Sequence, residues 1–474
     1  MDGWALTFVA LLGLISTSVY LWSYYYMDSD PTYRRFIGVL TSFVASIVLL
    51  VLFSTLFASL VGWDGLGVTS FLLVIYFKNR KSLGRGLITA LTNRAGDAVY
   101  LILLGVCLGH VGGLSHWQVV CILVLAMTKS AQYPFSSWLP AAIAAPTPVR
   151  ALVHSRTLVT AGVYVLLRYN PHDFQWLLVA GSVTMLMAGL CACAEMDLKK
   201  IVALSTLSQL GVIIVALGLC LKELCFFHLL THALFKALLF LCVGVYIHNT
   251  FGGQDYRSFA SLAGAARGRS LLASVANLSL LGFPFLAGFF RKDLVLEGSY
   301  NRGVSYLRLV WFLIGVGLTT AYSLKMLALV VPYSGLTRRT QAGGGGWSAS
   351  VKAPTSVLAV GAAWGGALLS VGATPSAVYG LDKAMPLAFV AVGWGLSVGV
   401  RGLQLAYFSS IWNLTPAVQR TAQWGVVGRH AAGLDLGAAA VSGGAGILAA
   451  RLARNIAGAA PWLGAFWAAS VVAG

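Results

Sequence analysis

Apolar residues fall along this chain in runs of about twenty, divided by short polar breaks. At 1.5 Å of rise per residue such a run makes a helix about 30 Å long, the thickness of a bilayer's hydrocarbon core. About fourteen runs can be counted, at 5–26, 36–58, 60–77, 87–109, 118–138, 149–169, 175–194, 201–220, 225–248, 270–290, 308–331, 354–372, 385–408 and 457–474. The pattern predicts an all-α polytopic membrane protein. Two runs are interrupted: the fifth holds Lys129 and Pro134, with Pro140, Pro146 and Pro148 close behind, and the tenth holds Gly282, Pro284 and Gly288 just before Lys292. They stand five runs apart, and an odd offset reverses the orientation of each successive unit, so the pair predicts an inverted-topology repeat built on broken helices. Backbone groups freed by a break are tolerated at membrane depth only where they line a polar cavity.

The expected organisation is an N-terminal helix over 1–35, a first inverted repeat over 36–169, a second over 170–331 and further spans over 332–408. Residues 409–456 carry Arg420, Arg429, Arg451 and Arg454 among many Ala, Gly and Val. A helix lying along the membrane surface and a loosely structured linker both fit that composition. A C-terminal anchor helix is expected over 457–474.

Composition narrows the class. Of 474 residues 58% are hydrophobic and only 10% are Asp, Glu, Lys or Arg, which excludes an ordinary soluble enzyme. The net charge of +18 comes from 32 Lys+Arg against 14 Asp+Glu, but the cations form no basic arm with interleaved aromatics, so no nucleic-acid partner is expected. They read as loop charges that set topology and face anionic lipid headgroups. With a tight turn near Gly62 joining the second and third runs, the loops on one side carry most of them, from Arg34 and Arg35 through Lys78, Arg80, Lys81 and Arg85 to Lys199 and Lys200. The opposite loops carry chiefly Lys222, Arg302 and Lys383, so the basic side is expected in the cytoplasm or matrix. Seven Cys without a C-x-x-C predict buried free thiols rather than an iron–sulfur or zinc site. Met1 leads almost directly into an apolar run, which predicts no cleavable presequence.

Most of the few acidic residues fall in loops; Asp64 and Asp97 do not. A charge near the bilayer centre costs roughly 3 kcal/mol on insertion scales, so such a group persists when it is paired or functional. Asp97 has two readings: an ion pair with Arg94 three residues away on the same helix face, or a place in a charge-carrying site. Lys129, Lys236 and Lys292 are the matching cations within apolar runs. Burial disfavours the charged form of a lysine and a neighbouring carboxylate restores it, so a lysine held between the two exchanges its proton at modest cost. His228, His232 and Lys236 recur at i, i+4 and i+8 along one helix face, while His154 stands alone in the sixth run. H-x-x-x-H spacing suits zinc, but the next residue on this face is a lysine, and a proton relay fits better.

These residues lie within stretches that resemble a known family. VGWDGLGVTSFLL from Val61, LTNRAGD from Leu91, KSAQYPFSSWLP from Lys129 and PTPVRALVHSRTLVTAGVYVLLR from Pro146 occur in order. DLKKIVALSTLSQLG from Asp197, FHLLTHALFKALLF from Phe227, IHNTFGGQD from Ile247 and GFPFLAGFFRKD from Gly282 follow them. Together they resemble the antiporter-like subunits of the proton-translocating NADH:quinone oxidoreductase, respiratory complex I, and among these subunit 5. The resemblance implies two inverted five-helix repeats followed by a long surface helix that braces neighbouring subunits. It implies that Asp64 and Lys129 pair in a first half-channel with Lys129 as proton carrier. His154, His228, His232 and Lys236 would then continue a polar axis, and Lys292 with Asp293 would form the exit. Three departures stand out: Asp64 where the family has Glu, Arg150 and Arg156 beside His154 where small residues are usual, and Arg291 beside Lys292. The family also begins with about two further helices.

The resemblance implies a subunit that carries protons while quinone is reduced elsewhere, binding no cofactor itself. NADH, FMN, iron–sulfur clusters and ubiquinone would belong to other subunits. Its partners would be the other membrane-arm subunits, especially the adjacent antiporter-like subunit 4, and membrane lipids. The expected location is the mitochondrial inner membrane with basic loops on the matrix side, the alternative being a bacterial plasma membrane. Two other functions compete: a stand-alone cation/proton antiporter, and a brace that has lost conduction. Retention of Lys129, Lys236 and Lys292 together weighs against the brace.

Overall fold

A backbone in hydrocarbon has to satisfy its own hydrogen bonds, and the helix does so within one segment. The computed structural model describes residues 3–28, 30–109, 116–169, 175–249, 253–255, 267–283, 286–301, 306–330 and 349–373, and among these it is helical with no strand. In chain order the elements are α1 Gly3–Tyr26, α2 Tyr33–Leu52, α3 Leu56–Val74, α4 Arg80–Gly109 and α5 His116–Lys129. Two short turns, α6 Trp138–Ala141 and α7 Thr147–Val149, lead into a π-helical segment Arg150–Thr157 and then α8 Leu158–Tyr169. There follow α9 Gln175–Ala194, α10 Leu198–Gly218, α11 Lys222–Asn249, α12 Arg267–Leu281, α13 Ala287–Asn301, α14 Tyr306–Val330 and α15 Ala349–Ala373. Eight of the described helices, α1 to α4, α9 to α11 and α14, are long and apolar enough to cross a membrane. The expected spans at 385–408 and 457–474 and the expected surface helix over 409–456 lie outside the described residues.

Burial is graded. α1 to α4 are buried on one side, whereas α10 and α11 are buried all round and form the core. Nothing but small residues lets helix backbones approach closely in lipid, where there is no water to drive association. At the α9–α10 contact a Cβ on Gly181 would lie 2.8 Å from the Gly211 carbonyl oxygen, and one on Gly211 would lie 2.7 Å from that of Gly181. Hydroxyls inside the spans are neutralised by their own helix: Ser16 and Thr17 donate to Gly13, Ser205 to Val202 and Thr320 to Gly317. That is how apolar runs tolerate so many Ser and Thr.

Both expected interruptions are present. α5 stops at Lys129, and Ala131 takes a left-handed conformation at φ 53° that cannot continue the helix. The tenth run divides into α12 and α13 around Gly282, whose φ of 88° suits a residue without a side chain. The expected turn near Gly62 is not where the chain turns. Phe53 is extended, Thr55 caps α3 by accepting from the Ala58 amide, and Gly62 lies within α3 against the backbone of Leu50. A missing side chain there serves helix contact, and a sequence does not distinguish that use of glycine from a turn.

The basic end of α10 is held by charges. Lys200 reaches Asp197 at 3.1 Å and Glu195 at 3.4 Å. Lys325 on α14 donates to the Cys193 and Glu195 carbonyls at 2.8 and 2.6 Å, placing a cation on the unpaired C-terminal carbonyls of α9.

The α9–α10 contact makes a packing prediction. Gly211→Val is expected to destabilise the bundle by about 1–3 kcal/mol through forced separation of two backbones. Gly105→Val, where a Cβ would meet nothing within 4 Å, is the control. Thermal unfolding of the detergent-solubilised protein should drop for the first variant and stay near the native value for the second; equal transitions would contradict the close contact.

Candidate functional site

Lys129 ends α5 with no exposed surface, at the point where the last carbonyls of the helix lose the following amides that would donate to them. The orphaned Thr128 carbonyl is taken by the Trp138 indole at 3.0 Å, so the broken segment folds back on its own helix end. α8 closes the other side, where Gly162 permits its backbone to approach the Ala126 carbonyl and Ser130 amide. The ammonium has one direction left, toward α3 and α4. It donates to the Trp63 carbonyl at 2.6 Å, sits 4.2 Å from the centre of the Trp63 ring and lies 3.9 Å from Asp97 Oδ1. Trp63 in turn donates its indole N–H to the same Asp97 oxygen at 2.9 Å. A buried cation is thus met by a carbonyl dipole, an aromatic face and a carboxylate.

The carboxylate nearest Lys129 is Asp97 rather than Asp64. Asp64 is bound by Arg94 Nη1 at 2.7 Å, and the same guanidinium nitrogen stands 3.5 Å from Asp97 Oδ2. The four charges therefore alternate in a row, Asp64, Arg94, Asp97, Lys129. Asp64 and Arg94 are about half exposed while Asp97 and Lys129 are buried, so the row runs from the periphery inward. Asp97 contacts both Arg94 and Lys129.

Beyond Lys129 the interior polar groups are mostly neutral. Gln132 accepts from the Thr184 hydroxyl at 2.7 Å, joining the broken segment to α9. On α10 Ser208 and Gln209 meet the Tyr322 hydroxyl of α14 at 2.8 and 3.4 Å. Lys236, fully buried on α11, donates to the Ser205 hydroxyl. His228 and His232 lie on the same buried face one turn apart, ring centres 6.3 Å from each other. Among the described residues no three His, Cys, Asp or Glu side chains gather as a metal site.

Lys292 repeats the device of Lys129 at the second break. From α13 its ammonium donates to the Leu281 carbonyl, freed by the end of α12, at 2.9 Å, and to Thr319 of α14 at 3.1 Å. The side chains of His154, Arg156, Arg291 and Asp293 lie outside the described residues. Arg150, fully buried, donates to the Ala145 carbonyl at 2.6 Å. The sequence singled out the three lysines, Asp64, Arg94, Asp97, His228 and His232, and passed over Trp63, Gln132, Thr184, Ser205, Tyr322 and Thr319. Their one signal is a polar atom inside an apolar run, which many Ser and Thr share without any role.

Residues 54–319 match the family described as NADH:quinone oxidoreductase/Mrp antiporter, transmembrane. The chain is 46% identical to NADH-ubiquinone oxidoreductase chain 5 of Lumbricus terrestris over 346 residues, 70% of this chain and 60% of that one. The protein of the same name from Anopheles arabiensis is 48% identical over 321 residues, 62% of this chain and 82% of that one. In structure the chain resembles a subunit in the Mrp complex from a Dietzia species, with a TM-score of 0.79 and 26% identity, covering 100% of this chain and 56% of that one. The chain spans about 60% of the length of the first curated relatives it matches. With its buried lysines at two helix breaks, the chain belongs to the NADH:quinone oxidoreductase/Mrp antiporter transmembrane family, alongside relatives named NADH-ubiquinone oxidoreductase chain 5.

Proposed function

We propose that this chain is an antiporter-like subunit of respiratory complex I and carries protons across the membrane, driven by NADH:ubiquinone oxidoreduction in other subunits. NADH, FMN, iron–sulfur clusters and ubiquinone belong to those subunits in this reading. The observation that carries it is Lys129, fully buried at a helix break and 3.9 Å from a carboxylate that a guanidinium also contacts.

The row of charges supplies the chemistry. At an effective dielectric of about 20, unit charges 4 Å apart interact by about 4 kcal/mol and at 8 Å by about 2. Drawing Asp97 toward Arg94, or releasing it toward Lys129, therefore changes the support for the ammonium by about 2 kcal/mol. Asp64 competes with Asp97 for Arg94, so its contact sets which way Asp97 leans. A proton leaving Lys129 would move toward Gln132 and Thr184, then along the hydroxyls of α10 and α14 to Lys236 and on to Lys292. His154 would connect toward the middle, and Asp293 would stand with Lys292 at the exit. Residues 36–169 and 170–331 would form inverted repeats, with 409–456 bracing neighbouring subunits, and the adjacent antiporter-like subunit 4 would be a main partner. The location in this reading is the mitochondrial inner membrane with basic loops toward the matrix. Likeness to the Mrp complex favours a second reading, a cation/proton antiporter subunit working without redox chemistry.

Two measurements separate and test these. Lys129→Ala in the assembled membrane complex is expected to lower quinone reduction and proton pumping together, by about tenfold, as a stalled proton step backs up through coupled units. Quinone reduction and proton pumping at native rates in Lys129→Ala would sink the carrier role, and purification without any redox-active partner would favour the antiporter. Asp97→Asn should slow turnover more than Asp64→Asn, because Asp97 alone touches both Lys129 and Trp63. The reverse order would return Asp64 to the place the family resemblance implied.

A further inference from the structure

Two cations at opposite ends of the bundle make the same contact. α2 begins in the basic loop at Arg34 and Arg35 and ends at the opposite face with Leu52, where Arg168 of α8 donates to the Val51 and Phe53 carbonyls, both at 3.1 Å. α9 ends with Ala194 on the basic face, near Lys199 and Lys200, and there Lys325 of α14 donates to the Cys193 and Glu195 carbonyls. In each case the acceptors are the residue before the last of the helix and the residue after it. Lys and Arg near the end of a span ordinarily extend toward the headgroups. These two turn onto backbone.

The register continues beyond the contact. Two residues past Phe53, Thr55 is the N-cap of α3, and eight residues further the Trp63 carbonyl accepts from the Lys129 ammonium. Two residues past Glu195, Asp197 is the N-cap of α10, and eight further the Ser205 hydroxyl accepts from the Lys236 ammonium. The helices that carry the cations match as well. Six residues before Arg168, Gly162 lets α8 lie against the Ser130 amide, next to Lys129; six before Lys325, Thr319 meets the Lys292 ammonium. Each of α8 and α14 therefore reaches from a helix break to the corner that starts the helix holding a lysine's acceptor. A helix rises a fixed 1.5 Å per residue, so a corner held by its carbonyls sets the height of a group two turns away.

We infer that Arg168 and Lys325 are positioning residues for proton transfer, each pinning the corner before α3 or α10. Arg168 sets where Trp63 meets Lys129, and Lys325 sets where Ser205 meets Lys236. The inference rests on the reading of the buried lysines as proton carriers. Releasing a corner lets the acceptor slide along its helix axis, and the 2.6 Å bond from Lys129 to the Trp63 carbonyl does not survive a shift of about 1 Å. Other bonds keep each corner from opening altogether. Tyr164 donates to the Val51 carbonyl at 3.4 Å and Tyr169 to that of Ser54 at 2.8 Å, while Lys200 pairs with Glu195 and Asp197 at the end of α9. Removing either cation therefore loosens a corner and leaves the bundle assembled.

The test uses the assembled membrane complex with Arg168→Gln and Lys325→Gln, each made alone and over the loss of its lysine. Each single variant is expected to slow proton translocation about tenfold, within the range that misplacing a reacting group by about 1 Å can produce. Arg168→Lys and Lys325→Arg keep a cation on the carbonyls and should recover a substantial part of that loss. Over Lys129→Ala, Arg168→Gln should add nothing further, and over Lys236→Ala, Lys325→Gln should add nothing, because each then has no lysine to serve. A further tenfold loss in those double variants would overturn the inference, since a cation that merely supports the fold acts whether or not the lysine is present. Native rates in either single variant, with Lys129→Ala still impaired, would also overturn it and leave the carrier reading standing. If Lys129→Ala itself translocates at the native rate, the carrier reading fails and the role of Arg168 falls with it. Should Arg168→Gln not assemble, Arg168→Lys carries the same comparison, with a smaller loss expected. A map of the Arg168 variant gives a readout besides activity: the Trp63 carbonyl is expected beyond hydrogen-bond reach of Lys129, and an unchanged contact would overturn the inference.

Discussion

A buried ammonium group has to be surrounded by acceptors, and in a bundle of hydrocarbon side chains acceptors are scarce. Lys129 and Lys292 solve this in the same way, at the two places where a helix stops and its ladder is interrupted. A break releases carbonyls and lets neighbouring helices present theirs, so the lysine finds the Trp63 carbonyl in one case and that of Leu281 in the other. The rest of the fold makes those breaks affordable. Trp138 caps the orphaned Thr128 carbonyl, Gly162 lets α8 close over the gap, and Gly288 lets α13 lie against the Ser279 carbonyl.

Between the two lysines the interior is mostly neutral and polar, with Lys236 as a buried cation among the hydroxyls. Hydroxyls on α10 and α14 bond first to their own helix and then to one another, as Ser208 does with Ser205 and Tyr322. A hydroxyl so placed costs little in a span, yet it can both give and take a hydrogen bond. In the row at Asp64, Arg94, Asp97 and Lys129 each ion has an opposite neighbour. Burial of α10 and α11 on all sides holds the neutral groups in line, and the close α9–α10 contact at Gly181 and Gly211 keeps them from spreading.

The spans, the two breaks and the three lysines could be read from the chain because each is conspicuous against a monotonous background. Twenty apolar residues in a row have few other uses, proline and glycine interrupt such a row visibly, and a lysine within it stands out by its cost. Gly62 shows where that reasoning ends. Its residue type fits a turn and a helix contact equally, and Thr55 rather than Gly62 begins the helix. The neutral members of the axis were passed over for the same reason, since a buried Ser looks alike whether it bonds its own turn or Lys236.

What the sequence determined by itself was therefore the inventory: a helical membrane bundle, interrupted twice, with a short set of ionisable side chains that burial makes consequential. Which of them touch was decided by tertiary structure alone. Asp64 and Asp97 are one residue type, each within an apolar run, and nothing local in the chain says that Arg94 takes the first while Lys129 reaches the second. That choice comes from the antiparallel register of α3 on α4 and from the end of α5 laid against both. Coulomb interaction falls with distance, and between separate helices only packing sets that distance.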